Sequence, residues 1–186
     1  KAERCDVISE VQKYLNFVII GGGPTGVELA GSIAEIAYHT MLKNFRRIKT
    51  SKAKIYLVEG TKQVLPTFPK KLGKKAQGYL EKFGVEILLG ENVTNITENG
   101  VYIGKTFIES SNVIWAAGNQ ASAFLKTLDV PLDRAGRVIV EKDLSIPNYP
   151  EIFVIGDAAC AMGKNKTPLP GIAPVAVQQG RYLAKI

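Results

Sequence analysis

Apolar residues in this chain alternate between short continuous runs and longer stretches in which they recur every three or four residues. The recurring pattern from Pro24 to about Ile48 and from Leu72 to Phe83 predicts two amphipathic helices. The short runs have the length and β-branched content of buried strands, and they occupy residues 17–20, 55–58, 85–89, 113–116 and 152–155. Such alternation of strands and helices predicts an α/β fold with a parallel sheet.

Two features interrupt this alternation. Glu98-Asn99-Gly100 separates the apolar pieces 93–97 and 101–103, which predicts an antiparallel β-meander beside the parallel sheet. Beyond about residue 120, prolines and glycines divide the chain into shorter pieces. We therefore predict that the α/β domain ends and a second unit begins near residue 120.

The first strand runs directly into a glycine-rich turn that opens a helix. In Gly-x-Gly-x-x-Gly, Gly21 makes the tight turn, Gly23 lets the backbone approach a diphosphate, and Gly26 lets the helix pack closely on the sheet. The N–H groups and dipole of the helix end would face that diphosphate. Glycines that merely allow tight packing are the alternative. The predicted contacts to a dinucleotide are Gly21, Gly22, Gly23, Pro24, Thr25 and Gly26.

An acidic residue closes the second strand, as a dinucleotide site of this kind requires. Glu59 is placed to accept hydrogen bonds from an adenosine ribose. A carboxylate there would repel a ribose 2′-phosphate, which favours NAD(H) over NADP(H), although Lys62 opposes that preference. Together with the glycines, Glu59 predicts a Rossmann-like NAD-binding domain over residues 1–120.

Small and polar residues also end two later strands. Ala117 and Gly118 permit a close backbone pass after the run at 113–116, whose Trp115 we interpret as a core residue. We interpret 152–155 as a buried parallel strand that ends in Gly156, Asp157 and Ala158. Asp157 would then meet a ligand hydroxyl, because crevices open at the carboxyl ends of parallel strands. The alternative is that Asp157 caps the following turn.

Composition and charge exclude several other kinds of protein. The net charge of +7, from 24 Lys and Arg against 17 Asp and Glu, is spread without aromatic interleaving, which indicates a solvated basic face and no nucleic-acid partner. Cys5 and Cys160 have no metal or redox spacing, and His39 is the single histidine, so we predict no metal site. No apolar run approaches the roughly 18 residues of a membrane span.

The motifs together resemble those of a known family. They are GGGPTGVELAG at 21–31, LVEG at 57–60, VLPTFP at 64–69, VIWAAG at 113–118, FVIGDAA at 153–159 and PLPGIAPVAVQQGRYLA at 168–184. This set, covering nearly the whole chain, resembles the flavoprotein oxidoreductases with two dinucleotide-binding domains, most closely the type II NADH:quinone oxidoreductases. The resemblance implies that residues 121–186 are part of a FAD-binding domain, with NADH and FAD as cofactors.

The resemblance also implies roles for single residues. Gly156, Asp157 and Ala158 would contact the ribityl and phosphate region of the flavin, and Ala173 and Pro174 would approach its ring. Gln178 would face the quinone, whereas Pro174 stands where many members carry another glutamine. Glu28 would lie near the nicotinamide and assist proton handling or gating; a plain helix carboxylate near a positive helix end is the alternative.

For the intact enzyme, the resemblance implies hydride transfer from NADH to FAD and then electron transfer to a membrane quinone, without proton pumping. Such an enzyme would lie peripherally on the cytoplasmic side of the membrane, and the resemblance is compatible with a homodimer. Because no second glycine motif is present, we expect this chain to be part of a longer enzyme, soluble, colourless and without turnover. The alternatives are another flavin-dependent NADH oxidoreductase, against whose disulfide branch the lack of Cys-x-x-Cys argues, and a stand-alone NAD-binding sensor.

Overall fold

A computed structural model of the protein describes residues 1–118 and 120–186, apart from the side chains of Ile8 and Ser9. The chain forms two compact units, Lys1–Gly118 and Asn119–Ile186. The strands of the first unit are β1 Asn16–Ile20, β2 Lys54–Glu59, β3 Val85–Leu89, β4 Val93–Thr97, β5 Gly100–Ile103, β6 Thr106–Glu109 and β7 Asn112–Trp115. Four of them form a parallel sheet in the order β3-β2-β1-β7, which confirms the predicted α/β fold.

Successive residues of the central strands pack on opposite faces of this sheet, as the period of two in a strand requires. Ile19 and Leu57 lie in the cluster that includes Ala30 and Ala34, whereas Val18 and Val58 lie in a second cluster with Val101. The first cluster belongs to the helices and the second to the antiparallel strands. The sheet is therefore covered on both sides, which explains why its strands read as continuous apolar runs.

Three helices belong to the first unit: α1 Ile8–Leu15, α2 Pro24–Glu35 and α3 Lys70–Lys82. The prediction that the second of these continues to about Ile48 is wrong. After α2 come a π-helical turn, Ile36–Thr40, and a loop. The carboxylate of Glu3 accepts hydrogen bonds from the backbone N–H groups of residues 46–48 in that loop. These N–H groups thus find side-chain acceptors, and the chain needs no further helical turns to satisfy them.

The strands β4, β5 and β6 form the predicted antiparallel meander. Glu98-Asn99 connects the first pair, and Gly100 follows with a φ of +156°. The third strand lies outside the predicted hairpin, and it follows a turn in which Gly104 has a φ of +56°. Val101 and Ile103 are buried and pack the meander against the sheet face opposite the helices.

In residues 120–186, the second unit has four short strands and one α-helix besides two 3₁₀ helices. The strands and the α-helix are β8 Val138–Ile139, β9 Ser145–Ile146, β10 Tyr149–Phe153, β11 Ala159–Cys160 and α4 Ala173–Leu183. The strands β8 and β11 pair in parallel, and β9 pairs with β10 antiparallel. Its core is an apolar cluster built on Leu125, Val138, Val140, Leu144, Ile146, Ala159 and Ala161.

The prediction of a buried parallel strand at residues 152–155 is wrong. The strand there is β10, and it pairs antiparallel with the preceding strand through a tight turn at Asn148, whose φ is +70°. Closing so short a connection costs little chain entropy, so local pairing is favoured. Ile152, Phe153 and Ile155 are 46%, 39% and 37% exposed, so an apolar run here does not correspond to a buried strand.

Candidate dinucleotide-binding site

The glycine loop lies at the carboxyl edge of the parallel sheet, between the ends of two neighbouring strands. Gly21 N–H donates to the carbonyl of Val58 at 2.8 Å, and Ala116 N–H donates to the carbonyl of Ile20 at 2.8 Å. Leu65 N–H donates to the carbonyl of Gly22 at 2.7 Å. The loop is therefore held by backbone hydrogen bonds from three directions before any ligand is present.

The three spaced glycines serve different needs. Gly21 has a φ of +110°, and a Cβ there would lie 2.8 Å from the backbone of Ala116 and Ala117. A Cβ on Gly26 would overlap the carbonyl oxygen of Gly21. At Gly23, by contrast, a Cβ would meet nothing within 4 Å. The chain's own packing thus requires Gly21 and Gly26. Gly23, in contrast, faces open space that a ligand phosphate would fit.

Helix α2 begins at this open space. Its N-cap is Gly23, which has no side chain to cap the helix, and Pro24 is its first residue. The N–H groups of the first turn are therefore free to bind an anion, with the positive end of the helix dipole behind them. Thr25 is exposed beside them. The geometry fits the diphosphate of a dinucleotide.

The carboxylate of Glu59, at the end of β2, contacts the glycine loop directly. It accepts hydrogen bonds from Gly22 N–H at 2.7 Å and from Thr61 N–H at 2.8 Å. A Cβ on Gly22 would lie 2.9 Å from the Glu59 side chain, which explains this glycine. Each carboxylate oxygen retains a free lone pair that can accept from a ribose hydroxyl. The motif alone does not reveal that Glu59 also supports the loop.

Strand β7 ends at Trp115, and Ala117 and Gly118 follow it beside the same loop, where Gly118 has a φ of +68°. The interpretation of Trp115 as a core residue is wrong, because its side chain is 62% exposed. Its indole N–H donates to the carbonyl of Ala117 at 2.7 Å. This hydrogen bond stabilises the turn that contains Ala117 and Gly118, two predicted site residues.

Glu28 lies exposed on α2, about one turn after Pro24.

In the second unit, the predicted flavin residues lie around the start of α4. Gly156–Ala158 form a short 3₁₀ turn in which Gly156 has a φ of +67°. A Cβ on Gly171 would lie 3.1 Å from the Asp157 carboxylate, so the proline-rich loop passes beside this acid. Ala173 and Pro174 are exposed in the first turn of α4.

The two adjacent glutamines of α4 have different environments. Gln178 is exposed, whereas Gln179 is 7% exposed and its Oε1 accepts the backbone N–H of Gly156 at 2.7 Å. Sequence reasoning missed Gln179. Its signal is the helical register, since Val175, Ala176, Gln179 and Leu183 share one face at the spacing of buried helix positions.

Neither metal-binding nor membrane-spanning features are found in the part of the chain that the structure describes. Within residues 1–118 and 120–186, His, Cys, Asp and Glu form no group of three or more suited to a metal ion. No helix in those ranges is both long and apolar enough to cross a membrane.

The sheet order, the glycine loop at its carboxyl edge and the acid ending β2 define the first unit as a dinucleotide-binding domain of the Rossmann type. The whole chain can also be placed in a family. Residues 1–180 match the pyridine nucleotide-disulphide oxidoreductase family, and the chain belongs to it.

Two similar proteins are named as type II NADH:quinone oxidoreductases. The chain is 44% identical over 193 residues to a type II NADH:quinone oxidoreductase of Mycobacterium tuberculosis, covering 99% of this chain and 41% of that protein. It is 40% identical to a second such oxidoreductase of that organism, covering 96% of this chain and 39% of the relative. The chain thus spans about two fifths of the length of these relatives.

Solved structures share the fold. A Plasmodium falciparum protein solved in complex with NADH superimposes with a TM-score of 0.71 at 24% identity, covering 86% of this chain and 35% of that one. At this identity the likeness establishes the architecture alone. It agrees with the predicted α/β fold, in which an antiparallel meander accompanies a parallel sheet.

Proposed function

We propose that the first unit binds NADH at the glycine loop. The observation that carries this proposal is the open space at Gly23 beside the Glu59 carboxylate, because the chain's own packing accounts for every other glycine of the motif. The diphosphate would lie on the first turn of α2, and the adenosine ribose would donate hydrogen bonds to Glu59. The negative charge of Glu59 disfavours a 2′-phosphate, so NADH is preferred over NADPH.

We further propose that the intact protein is a NADH:quinone oxidoreductase that lies peripherally on the cytoplasmic side of a membrane, without pumping protons, and that it forms homodimers. Support for the quinone oxidoreductase activity comes from the two relatives named as type II NADH:quinone oxidoreductases at 44% and 40% identity. A bound FAD would supply the chemistry that accepts a hydride and passes electrons on to a quinone.

The residues of this chain have distinct parts in that proposal. Gly156, Asp157 and Ala158 present a backbone turn and a carboxylate that suit the polar chain of a flavin, and Ala173 and Pro174 present a small apolar surface for its ring. Gln178 is exposed and available to a quinone. Glu28, exposed on α2, would hold or move a proton near the nicotinamide. The described residues offer no second glycine loop for the flavin diphosphate, so these residues would make only part of its contacts.

The cysteines of this chain do not supply the redox pair of a disulfide reductase. Cys5 and Cys160 are both free thiols, and burial raises the pKa of the Cys160 thiol, which keeps it protonated and unreactive. A dithiol–disulfide couple needs two sulfurs within bonding reach.

The test is steady-state NADH oxidation by the full-length gene product with menadione as a soluble quinone, with and without added FAD. We expect NADH oxidation that depends on both quinone and flavin, and weaker activity with a disulfide acceptor. Absence of quinone reduction in the flavin-loaded protein would contradict the proposal. NADH binding measured in the same preparation decides separately whether the glycine loop functions.

A further inference from the structure

The segment VLPTFP, residues 64–69, contains a backbone conformation that its residue types do not favour. Leu65 has a φ of +52°, in the left-handed region where residues other than glycine are uncommon. Pro66 restricts Leu65 further, because a residue before proline prefers extended backbone. A conformation of this kind costs free energy and persists only where the surrounding structure enforces it, which is common at ligand sites.

The chain on both sides of Leu65 is fixed by packing and by hydrogen bonds. Val64 is fully buried, and a Cβ on Gly73 of α3 would lie 2.6 Å from the carbonyl oxygen of Val64. Phe68 N–H donates to the carbonyl of Leu65 at 2.9 Å. The side-chain amide of Gln63 donates to the carbonyl of Phe68 at 3.3 Å. These neighbours together enforce the positive φ of Leu65.

Leu65 donates a hydrogen bond to the glycine loop from this conformation. Its N–H lies 2.7 Å from the carbonyl oxygen of Gly22, while the N–H of Gly22 donates to the Glu59 carboxylate, also at 2.7 Å. Both backbone polar groups of Gly22 are therefore paired with residues that follow β2. The carboxylate holds one side of this residue, and Leu65 holds the other.

The hydrogen bond from Leu65 also determines where the next N–H of the loop points. The peptide bond between Gly22 and Gly23 is trans. In a trans peptide unit the N–H points opposite to the carbonyl. Because the Gly22 carbonyl points to Leu65, the Gly23 N–H points away from Leu65. Gly23 is the N-cap of α2, and a Cβ there would meet nothing within 4 Å.

We propose that Leu65 is a positioning residue for the diphosphate of NADH. Its left-handed backbone directs an N–H to the Gly22 carbonyl and thereby fixes the Gly23 N–H in the orientation in which a diphosphate oxygen can accept it. This role rests on the proposed binding of NADH at the glycine loop. A donor that is oriented before the ligand arrives loses less conformational freedom on binding, so the affinity is higher.

The test compares Leu65→Val with Leu65→Asn. A β-branched residue is strongly disfavoured at positive φ, whereas asparagine has nearly the shape of leucine and adopts this region more readily. NADH and adenosine are titrated into each protein while the amide signals of residues 21–26 and 59–62 are followed by NMR. In Leu65→Val the affinity for NADH should fall about tenfold and that for adenosine, which lacks the diphosphate, should stay within about twofold. Leu65→Asn should restore the NADH affinity to within about threefold of the parent.

Two further measurements accompany these titrations. Glu59→Ala removes the ribose acceptor and should weaken NADH and adenosine alike. The scalar coupling across the hydrogen bond from the Leu65 N–H to the Gly22 carbonyl tests the geometry in the parent protein, so the test does not depend on the folding of Leu65→Val.

The proposal is overturned if that coupling is absent, if Leu65→Val binds NADH as tightly as the parent, or if it weakens NADH and adenosine equally. It is also overturned if Leu65→Asn loses as much NADH affinity as Leu65→Val. Failure of the proposed function is recognised separately, because the parent protein would then not bind NADH at all.

Discussion

Gly23 and Gly26 stand three residues apart at the start of α2, and they are glycines for different reasons. Gly26 is enclosed by the carbonyl oxygen of Gly21, whereas Gly23 faces open space. At Gly23 the φ of −70° is one that alanine adopts readily. Substitution of Gly26 should therefore affect mainly stability, and substitution of Gly23 should affect mainly ligand binding.

Gly23→Ala should leave the free energy of unfolding within about 0.5 kcal/mol of the parent. Its affinity for NADH should fall by about tenfold or more, because the methyl group takes the space in which the diphosphate approaches the backbone. Gly26→Ala is the matched variant and should lose about 1–3 kcal/mol of stability through overpacking. Urea unfolding and calorimetric titration measure both effects. Full NADH affinity in Gly23→Ala would contradict the proposed position of the diphosphate.

Glu59 is the residue that should decide between the two nicotinamide cofactors. Glu59→Ala should weaken NADH binding about tenfold more than NADPH binding, because it removes the ribose acceptor and also the charge that repels a 2′-phosphate. Glu59→Gln keeps an oxygen for the Gly22 N–H and controls for loop damage. Equal losses for the two cofactors in Glu59→Ala would refute the ribose role. Calorimetric titration with both cofactors supplies the measurement.

The stability of the second unit should depend on pH through the carboxylate of Asp133. Partial burial acts to raise its pKa, but the hydrogen bonds from the Arg137 backbone and side chain prevail, and the pKa of Asp133 lies below its usual 3.8. Arg137 Nη2 lies 2.7 Å from Asp133 Oδ2. Because the folded pKa is depressed, the stabilisation is complete above the ordinary pKa and is lost as the pH falls through the folded value.

We therefore expect Asp133→Asn to be less stable than the parent by about 2 kcal/mol at neutral pH. The difference between the two proteins should shrink as the pH falls below about 4, where the parent loses the same interaction. Thermal unfolding followed by circular dichroism from neutral to acidic pH tests this. A difference that stays constant down to about pH 3 would show that the ion pair is not its source.

At the scale of elements, α4 acts as the anchor of the turn that carries Asp157. Gln179 occupies the inner face of the helix and holds the Gly156 N–H, while Gln178 points to the exposed side. A Cβ on Gly156 would lie 3.4 Å from the Cβ of Ala176, so the turn packs closely on the helix. The position of Asp157 thus depends on a residue outside its own turn.

Gln179→Ala should destabilise the second unit by about 1–2 kcal/mol, because the Gly156 N–H loses its acceptor. Gln178→Ala, its neighbour, should change stability by less than about 0.5 kcal/mol. Gln179→Glu retains an acceptor oxygen and should restore slow exchange of the Gly156 amide proton, which hydrogen-exchange NMR measures. Fast exchange of that proton in the parent protein would argue against the anchor.

Sequence patterns were most informative where a local rule and the fold agree. Gly21 and Gly26 follow from the requirements of one strand, one turn and one helix, so adjacent residues suffice to predict them. Glu59 follows from the acid that the same motif requires at the end of the next strand. The strand at 152–155 was misread because an apolar run specifies neither its partner nor its burial. Gln179 was missed because its role arises from the packing of α4 on a turn more than twenty residues away in sequence, a tertiary contact that no short motif encodes.

At the scale of the whole molecule, every residue proposed to bind NADH belongs to the first unit, Lys1–Gly118. That unit has its own buried clusters on both faces of the sheet. Compact units with their own core can in principle fold alone. The second unit likewise has a separate cluster built on Val138 and its neighbours.

We therefore expect a protein consisting of residues 1–118 alone to unfold cooperatively and to bind NADH within about threefold of the affinity of the longer chain. Thermal unfolding and calorimetric titration of the two proteins make the comparison. A loss of about tenfold or more in the well-folded shorter protein would show that residues beyond 118 complete the NADH site.

The hydrogen bond between Glu59 and Gly22 constrains how coenzyme preference can be redesigned. Replacing the acid with a small or basic side chain would admit a 2′-phosphate, yet it would also leave the Gly22 N–H without its acceptor. A successful switch to NADPH would therefore couple two substitutions, one that provides a positive charge and another that returns an oxygen to Gly22. Single substitutions at position 59 should yield relaxed coenzyme use with weaker binding rather than a reversed preference.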